Sequence, residues 1–232
     1  AVNDLPTIGT FTSQTISEDA ATSALAFTVG DVETASGSLA VTATSSNTML
    51  VPNANAVLGG SGASRTVTLT PAANQFGTAT ITLTVSDGTA TAPSTIALTV
   101  TAVNDAPTMT PPFTAQTINE DTATSAIAFT IGDVETAVAS LTVTASSSDT
   151  TLVPNASITL GGSDASRTVT LTPAANLSGT ATITVAVSDG TTSTSTTLAL
   201  TVTAVNDAPT ITAIAAQSTI TGTSALAFTV GD

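Results

Sequence analysis

The 232-residue chain has no histidine, cysteine, lysine, tryptophan or tyrosine, and its only bases are Arg65 and Arg167. Each absence closes a class of chemistry. Without His, Cys or Lys the usual general bases and activated nucleophiles are missing, which excludes Ser-His-Asp, Cys-His and Schiff-base mechanisms. Only an Asp-based hydrolase could be built, and no apolar pocket is signalled, so the chain reads as a non-enzyme. Missing Lys rules out Lys–Asn isopeptide crosslinks, and missing Cys rules out disulfides. The lack of Cys does not report a reducing compartment, because secreted modules also do without it. A formal net charge of −14 argues against nucleic acid and anionic membranes as partners. No apolar run approaches the roughly 20 residues a transmembrane helix needs.

What is present is repetition. AVNDLPT at Ala1 recurs as AVNDAPT at Ala102 and again at Ala204. Glu18, Asp31, Arg65 and Asp87 recur as Glu120, Asp133, Arg167 and Asp189, each 102 residues on. The sequence therefore divides into repeat 1 (1–103), repeat 2 (104–205) and the opening of a third (206–232). About 100 residues suits one small β domain with its own core. Each VND-Pro segment is a joint: Asn and Asp offer adjacent oxygens, while Pro stiffens the backbone. The chain opens in mid-joint and carries no signal peptide, so it reads as an excerpt of something longer.

Within a repeat, apolar residues alternate with Thr: Val67 and Leu69; Ala79, Ile81, Leu83 and Val85; Ile96, Leu98 and Val100. Period two with β-branched partners means strands with one buried and one wet face. Seven are predicted in repeat 1, near 7–16, 24–29, 38–45, 55–58, 65–70, 78–86 and 95–102. Seven short strands in that length, separated by Gly, Asp, Asn and Pro turns, predict an all-β, seven-stranded Greek-key sandwich of immunoglobulin-like shape. Two repeats make a linear array. The core reads as light, with Phe27 and Phe76 among its few large residues.

Alternating strand direction places GDVETASG, GGSGAS and SDGTATAP at one end and SEDAATS, SNTMLVPN and PAANQFG at the other. Of sixteen acids, all but Asp149 and Asp164 lie in the joints, GDVE, SDG or the SED/NED turn, and converge on joints. The middle joint gathers Glu18, Asp19, Asp105, Asp133, Glu135 and Asp189; Glu120 and Asp121 face the next. One at a time these are ordinary turn residues. Turn propensity gives no reason, however, for acids to select the loops that face joints, and crowded carboxylates repel. Hard carboxylate and amide oxygens, with no imidazole or thiolate, point to Ca²⁺. Neither an EF-hand loop nor a GGxGxD nonapeptide repeat is present. Arg65 and Arg167 lie at the acidic end, where each is expected to pair with Glu33 or Glu135 or to cap a loop carbonyl.

VNDAPT, the ED turn, VSDG and PAANxxGTATIT together resemble bacterial cadherin-like tandem repeats of large surface and secreted proteins. The resemblance covers essentially the whole chain. It implies calcium at each joint. The middle joint would use Glu18, Asn104, Asp105, Asp133, Glu135 and Asp189. The first would use Asn3, Asp4, Asp31, Glu33 and Asp87, and the last Glu120, Asn206, Asp207 and Asp232. Two departures imply fewer ions per joint: the Asp-x-Asp loop is Asp-Val-Glu here, and PAANQFG or PAANLSG replaces an acidic loop. A third copy reading TITGTSA instead of ISEDAATSA implies weak binding beyond Asp232.

The reading is a calcium-rigidified stalk of a surface adhesin or an extracellular fibre, outside the cell on a bacterial surface. Its partners are neighbouring repeats of the same chain and like molecules in a fibre. The alternative is a carbohydrate- or ice-binding module of a secreted protein, invited by ladders such as Thr66, Thr68 and Thr70. Those residues are also good strand formers on a wet face, and no Trp or Tyr platform is available for sugar. The two strands after Asn206 cannot bury Leu226, Phe228 and Val230 by themselves. They are expected to be covered by a neighbouring segment or to be disordered in isolation.

Overall fold

The computed structural model describes residues 2–214, Ala225 and 227–231. It divides into two compact units, residues 1–105 and 106–232.

In the first unit eight strands form: β1 (Thr7–Ile8), β2 (Gln14–Ser17), β3 (Leu25–Gly30), β4 (Ala40–Ser45), β5 (Ala56–Ser61), β6 (Ser64–Leu69), β7 (Gly77–Ser86) and β8 (Thr91–Thr101). They make two four-stranded sheets, ordered β1-β3-β6-β5 and β2-β8-β7-β4. The long β7–β8 hairpin pairs Gly77 with Val100 and Ser86 with Thr91. Its inward row is Ala79, Ile81, Leu83 and Val85 on one strand and Ile96, Leu98 and Val100 on the other, all buried. Thr78, Thr80, Thr82 and Thr84 of β7 and Thr95, Ala97 and Thr99 of β8 occupy the alternate positions and face outward, as the period-two pattern requires. Val67 and Leu69 of β6 and Phe27 and Val29 of β3 close the core from the opposite sheet. Each such side chain contributes about 1.5–3 kcal/mol when fully buried.

The fold matches the all-β sandwich read from the sequence, with two corrections. The predicted first strand is two strands. β1 pairs antiparallel with β3, whereas β2 crosses to the other sheet and runs parallel to β8, Gln14 opposite Leu98. One chain segment thereby seals both sheets along an edge. Phe76 is not a core residue. It lies 46% exposed in the loop before β7, and the aromatic partner of Phe27 is Phe11, with ring centroids 5.4 Å apart.

The second unit repeats the arrangement with β9 (Thr108–Thr110), β10 (Gln116–Asn119), β11 (Ile127–Gly132), β12 (Thr142–Ser147), β13 (Ile158–Ser163), β14 (Ser166–Leu171), β15 (Gly179–Ser188) and β16 (Ser193–Thr203). Phe113 packs on Phe129 as Phe11 does on Phe27. After the next VND segment, β17 (Thr210–Ile211) pairs antiparallel with β18 (Val230–Gly231). Phe228 and Val230 there are 53% and 71% exposed; Leu226 lies outside the described residues.

Candidate cation-binding ends of each repeat

Two short loops and a joint shape one end of the first unit. After β3, Asp31 makes an Asx turn: its Oδ1 accepts from the amides of Glu33 (3.0 Å) and Thr34 (2.6 Å). Asp31 Oδ2 is buried with no hydrogen-bond donor. Between β7 and β8, Asp87 Oδ1 accepts from the amides of Thr89 and Ala90, both at 2.6 Å. The joint is tied onto these loops. Asn3 Nδ2 donates to Asp87 Oδ2 (2.9 Å), and the Asp4 amide donates to Glu33 Oε2 (3.2 Å). The Ala90 amide, then the Asn3 amide, then the Thr89 amide hold the Asp87 carboxyl below its ordinary value of 3.8. Asn3, Asp4, Asp31, Glu33 and Asp87 are thus brought to one end of one sandwich.

Arg65 sits beside them and takes the carbonyl-capping role. It donates through Nε to Gly62 O (2.8 Å) and through Nη2 to Ser36 O (3.2 Å) and Leu39 O (3.4 Å). It therefore locks the β5–β6 hairpin to the loop that carries Asp31. As the second residue of β6 it stands opposite Phe27 on one side and Gly60 on the other. Arg167 holds the same register in β14.

The opposite end of the unit is built on the ED turn. Glu18 follows β2 and is only 4% exposed. Its Oε1 accepts from the Val103 amide at 2.6 Å, and its Oε2 is buried with no donor. Asp19 adopts φ 57 and accepts through Oδ1 from the amide of Asn74, itself at φ 56 in the PAAN loop. Buried Thr22 exchanges bonds with Leu69, its Oγ1 accepting from the Leu69 amide and its own amide donating to the Leu69 carbonyl. The ED turn is so fastened to the PAAN loop, to the end of β6 and to the joint.

Unit two reproduces this. Asp133 Oδ1 accepts from the Glu135 and Thr136 amides, its Oδ2 has no donor, and Asp189 Oδ1 accepts from the Thr191 and Thr192 amides. Glu120 Oε1 accepts from the Val205 amide at 2.7 Å, and Asp121 Oδ1 from the Asn176 amide at 2.9 Å. Asn104 and Asn206 each donate to the carbonyl of the following Asp, Asp105 and Asp207. Asp232 lies outside the described residues.

Asp149 and Asp164, the two acids outside those segments, build turns. Asp149 Oδ1 accepts from the Thr151 and Leu152 amides, the role Asn47 plays in the first repeat. Asp164 takes φ 50 where the first repeat has Gly62 at φ 59.

The donor set is all hard oxygen, and the buried, donorless Glu18 Oε2 and Asp31 Oδ2 suit a cation of calcium's chemistry. Among the described residues no group of three or more acidic side chains stands in a geometry that holds a metal ion. Asn74, Asn176 and Thr22 escaped the sequence reading, as did Thr124, whose Oγ1 accepts from the Leu171 amide at 3.0 Å. The signal for the asparagines was the PAAN tetrapeptide at the same place in both repeats.

These features define a class: tandem immunoglobulin-like sandwiches with oxygen-rich ends fastened to Pro-stiffened joints. Residues 103–203 match the family described as cadherin-like domain, and residues 3–101 match that described as bacterial Ig domain. The resemblance to bacterial cadherin-like repeats is thereby borne out. No curated protein matches the chain. Among solved structures, extracellular cadherin domains 1–5 of protocadherin gamma B2 are 18% identical, covering 89% of this chain and 40% of that one, with a TM-score of 0.50. Titin domains Z1Z2, solved with telethonin, are 13% identical over 89% of this chain and 100% of that one (TM-score 0.40). An endo-fucoidan hydrolase of glycoside hydrolase family 107 is 22% identical over 87% of this chain and 29% of that one (TM-score 0.38). Domains of these two families are typically non-enzymatic extracellular modules. No helix among the described residues is long and apolar enough to cross a membrane.

Proposed function

We propose that the chain is a calcium-stiffened string of sandwiches, serving as the stalk of a bacterial surface adhesin or as part of an extracellular fibre. The observation that carries this reading is Glu18, repeated as Glu120. Each is a buried or nearly buried carboxylate with one oxygen on the amide of the joint, and Glu18 keeps its second oxygen without a donor. A carboxylate so placed is costly to bury alone and is stabilised by a cation. The middle joint is assigned Glu18 from the first repeat, Asn104 and Asp105 from the joint itself, and Asp133, Glu135 and Asp189 from the second repeat. The first joint is assigned Asn3, Asp4, Asp31, Glu33 and Asp87, and the last Glu120, Asn206, Asp207 and Asp232. A bound calcium ion would supply charge neutralisation to these carboxylates. The chain's residues do the rest: Asx turns hold Asp31 and Asp133 in place, and Glu18 holds the joint. Affinity in the range of about 10⁻⁴–10⁻³ M is expected for an extracellular module.

Small-angle scattering of the whole chain tests this. Calcium should narrow the distribution of dimensions relative to chelator, and magnesium at equal concentration should do so less. Identical profiles with and without calcium would overturn the proposal.

A further inference from the structure

The PAAN loop of the second repeat ends in an asparagine, Asn176, whose geometry gives it a task of its own. The side-chain amide of Asn176 faces two carboxylate oxygens, Asp121 Oδ2 at 3.2 Å and Asp207 Oδ2 at 3.3 Å. Acceptors on both sides assign its nitrogen to that face, because only a donor satisfies them. The NH₂ group has two hydrogens, one for each carboxylate. Asp121 belongs to the ED turn of the sandwich, whereas Asp207 belongs to the joint that leaves it. We propose that Asn176 is a cation-independent tie, a positioning residue that fixes the exit of the joint by bridging two carboxylates that would otherwise repel.

Three observations support the assignment. First, the loop is held in position to make the bridge: the Asn176 backbone amide donates to Asp121 Oδ1 at 2.9 Å, and the residue sits at φ 55, a conformation Asn tolerates better than most. Second, the joint is already anchored two residues earlier, where Val205 donates to Glu120 Oε1 at 2.7 Å. The Asn176 bridge therefore closes a second attachment on a short segment, and two attachments fix a direction where one leaves a pivot. Third, the first repeat builds the same backbone link, Asn74 amide to Asp19 Oδ1 at 3.0 Å, with Asn74 at φ 56. Hydrogen bonds to charged acceptors are about twice as strong as neutral ones. An acid at this position would add a third negative charge and leave the second attachment dependent on a cation. Asparagine keeps part of the order when calcium is scarce. This inference goes beyond the calcium reading and does not rest on it.

The test uses the full chain, labelled with ¹⁵N, in excess chelator, and reads backbone order parameters at Asn206 and Asp207. The unsubstituted chain should give values near the rigid limit of about 0.85, and Asn176→Gly should fall below about 0.6. Glycine is the clean replacement because it adopts positive φ without strain. Asn176→Asp keeps the backbone preference but swaps two donors for a third carboxylate. It should be as mobile as the glycine variant in chelator and regain order when calcium is added. Thermal unfolding of both variants close to that of the parent marks the sandwich as intact. Should one variant fail to fold, the other still decides. Unchanged order parameters in chelator for either folded variant would overturn the tie. If Asn176→Asp loosens the joint and calcium does not restore it, the tie stands and the calcium reading falls.

Discussion

Glu18 does two separable things, and conservative substitution pulls them apart. Its Oε1 receives the Val103 amide, and its donorless Oε2 carries charge into a site that is 4% exposed. Glu18→Gln keeps an acceptor for Val103 but removes the charge. It should leave urea unfolding in chelator near the parent value while weakening calcium binding by about tenfold, because affinity follows ligand charge. Glu18→Ala removes both, strands the Val103 amide, and should cost a further 1–2 kcal/mol or so of stability in chelator. Equal calcium titrations for parent and Gln variant would remove Glu18 from the site. Asp87 makes a prediction in pH. Its folded-state value is depressed below 3.8, chiefly by the Ala90 amide and next by Asn3. The stabilisation it brings is fully present above 3.8 and is lost as pH falls through the lower folded value. Melting temperature should therefore be unaffected by this group near neutrality and decline in acid. Asp87→Ser should show a flatter acid limb in a series of melts.

The β5–β6 hairpin shows how two glycines in one element answer to different constraints. Gly60 has φ 80, and a Cβ there would press on the backbone of Ser64 and on Arg65 Cα, 2.8 Å away. Gly62 has φ 59 with open space around it, and the second repeat has Asp164 at the same place. Gly60→Ala should cost at least about 2 kcal/mol in denaturant unfolding, from backbone strain and overpacking together. Gly62→Asp should cost well under about 1 kcal/mol. The elements also divide by how far the sequence disclosed them. The inward rows on β6, β7 and β8 were plain, because strict alternation has one reading. Splitting of the first strand was hidden, since residues 7–17 contain no periodicity that says which sheet each half joins. Phe76 misled for a related reason: its hydrophobicity suggested burial, while the Pro-Ala-Ala-Asn turn before it and Gly77 at φ 132 after it hold it outside. Acids at the ends were legible because they recur in register. The Asn74 and Asn176 contacts were not, because an amide's role depends on which carboxylates surround it.

Across the whole chain, charge and flank are kept apart. The β2, β8, β7 and β4 sheet contains no charged residue in any of its four strands, and neither does its counterpart of β10, β16, β15 and β12. Acidic charge thus collects on end loops, so changing one end acid should alter how modules are joined more than how each folds. Asp133→Ala should weaken calcium binding and broaden the scattering-derived dimensions in calcium, while the unfolding transition keeps its midpoint within a few degrees. A lowered midpoint with unchanged calcium affinity would place Asp133 in the fold alone. The position of the two arginines adds a last consequence. The only bonds trypsin can cut, after Arg65 and Arg167, lie near the starts of β6 and β14, each flanked by a paired strand on both sides. Such bonds are inaccessible to the enzyme until a sheet opens. Cleavage into 1–65, 66–167 and 168–232 would therefore time the unfolding of each sandwich and ignore motion at the joints. A chelator that leaves the string limp should leave it uncut.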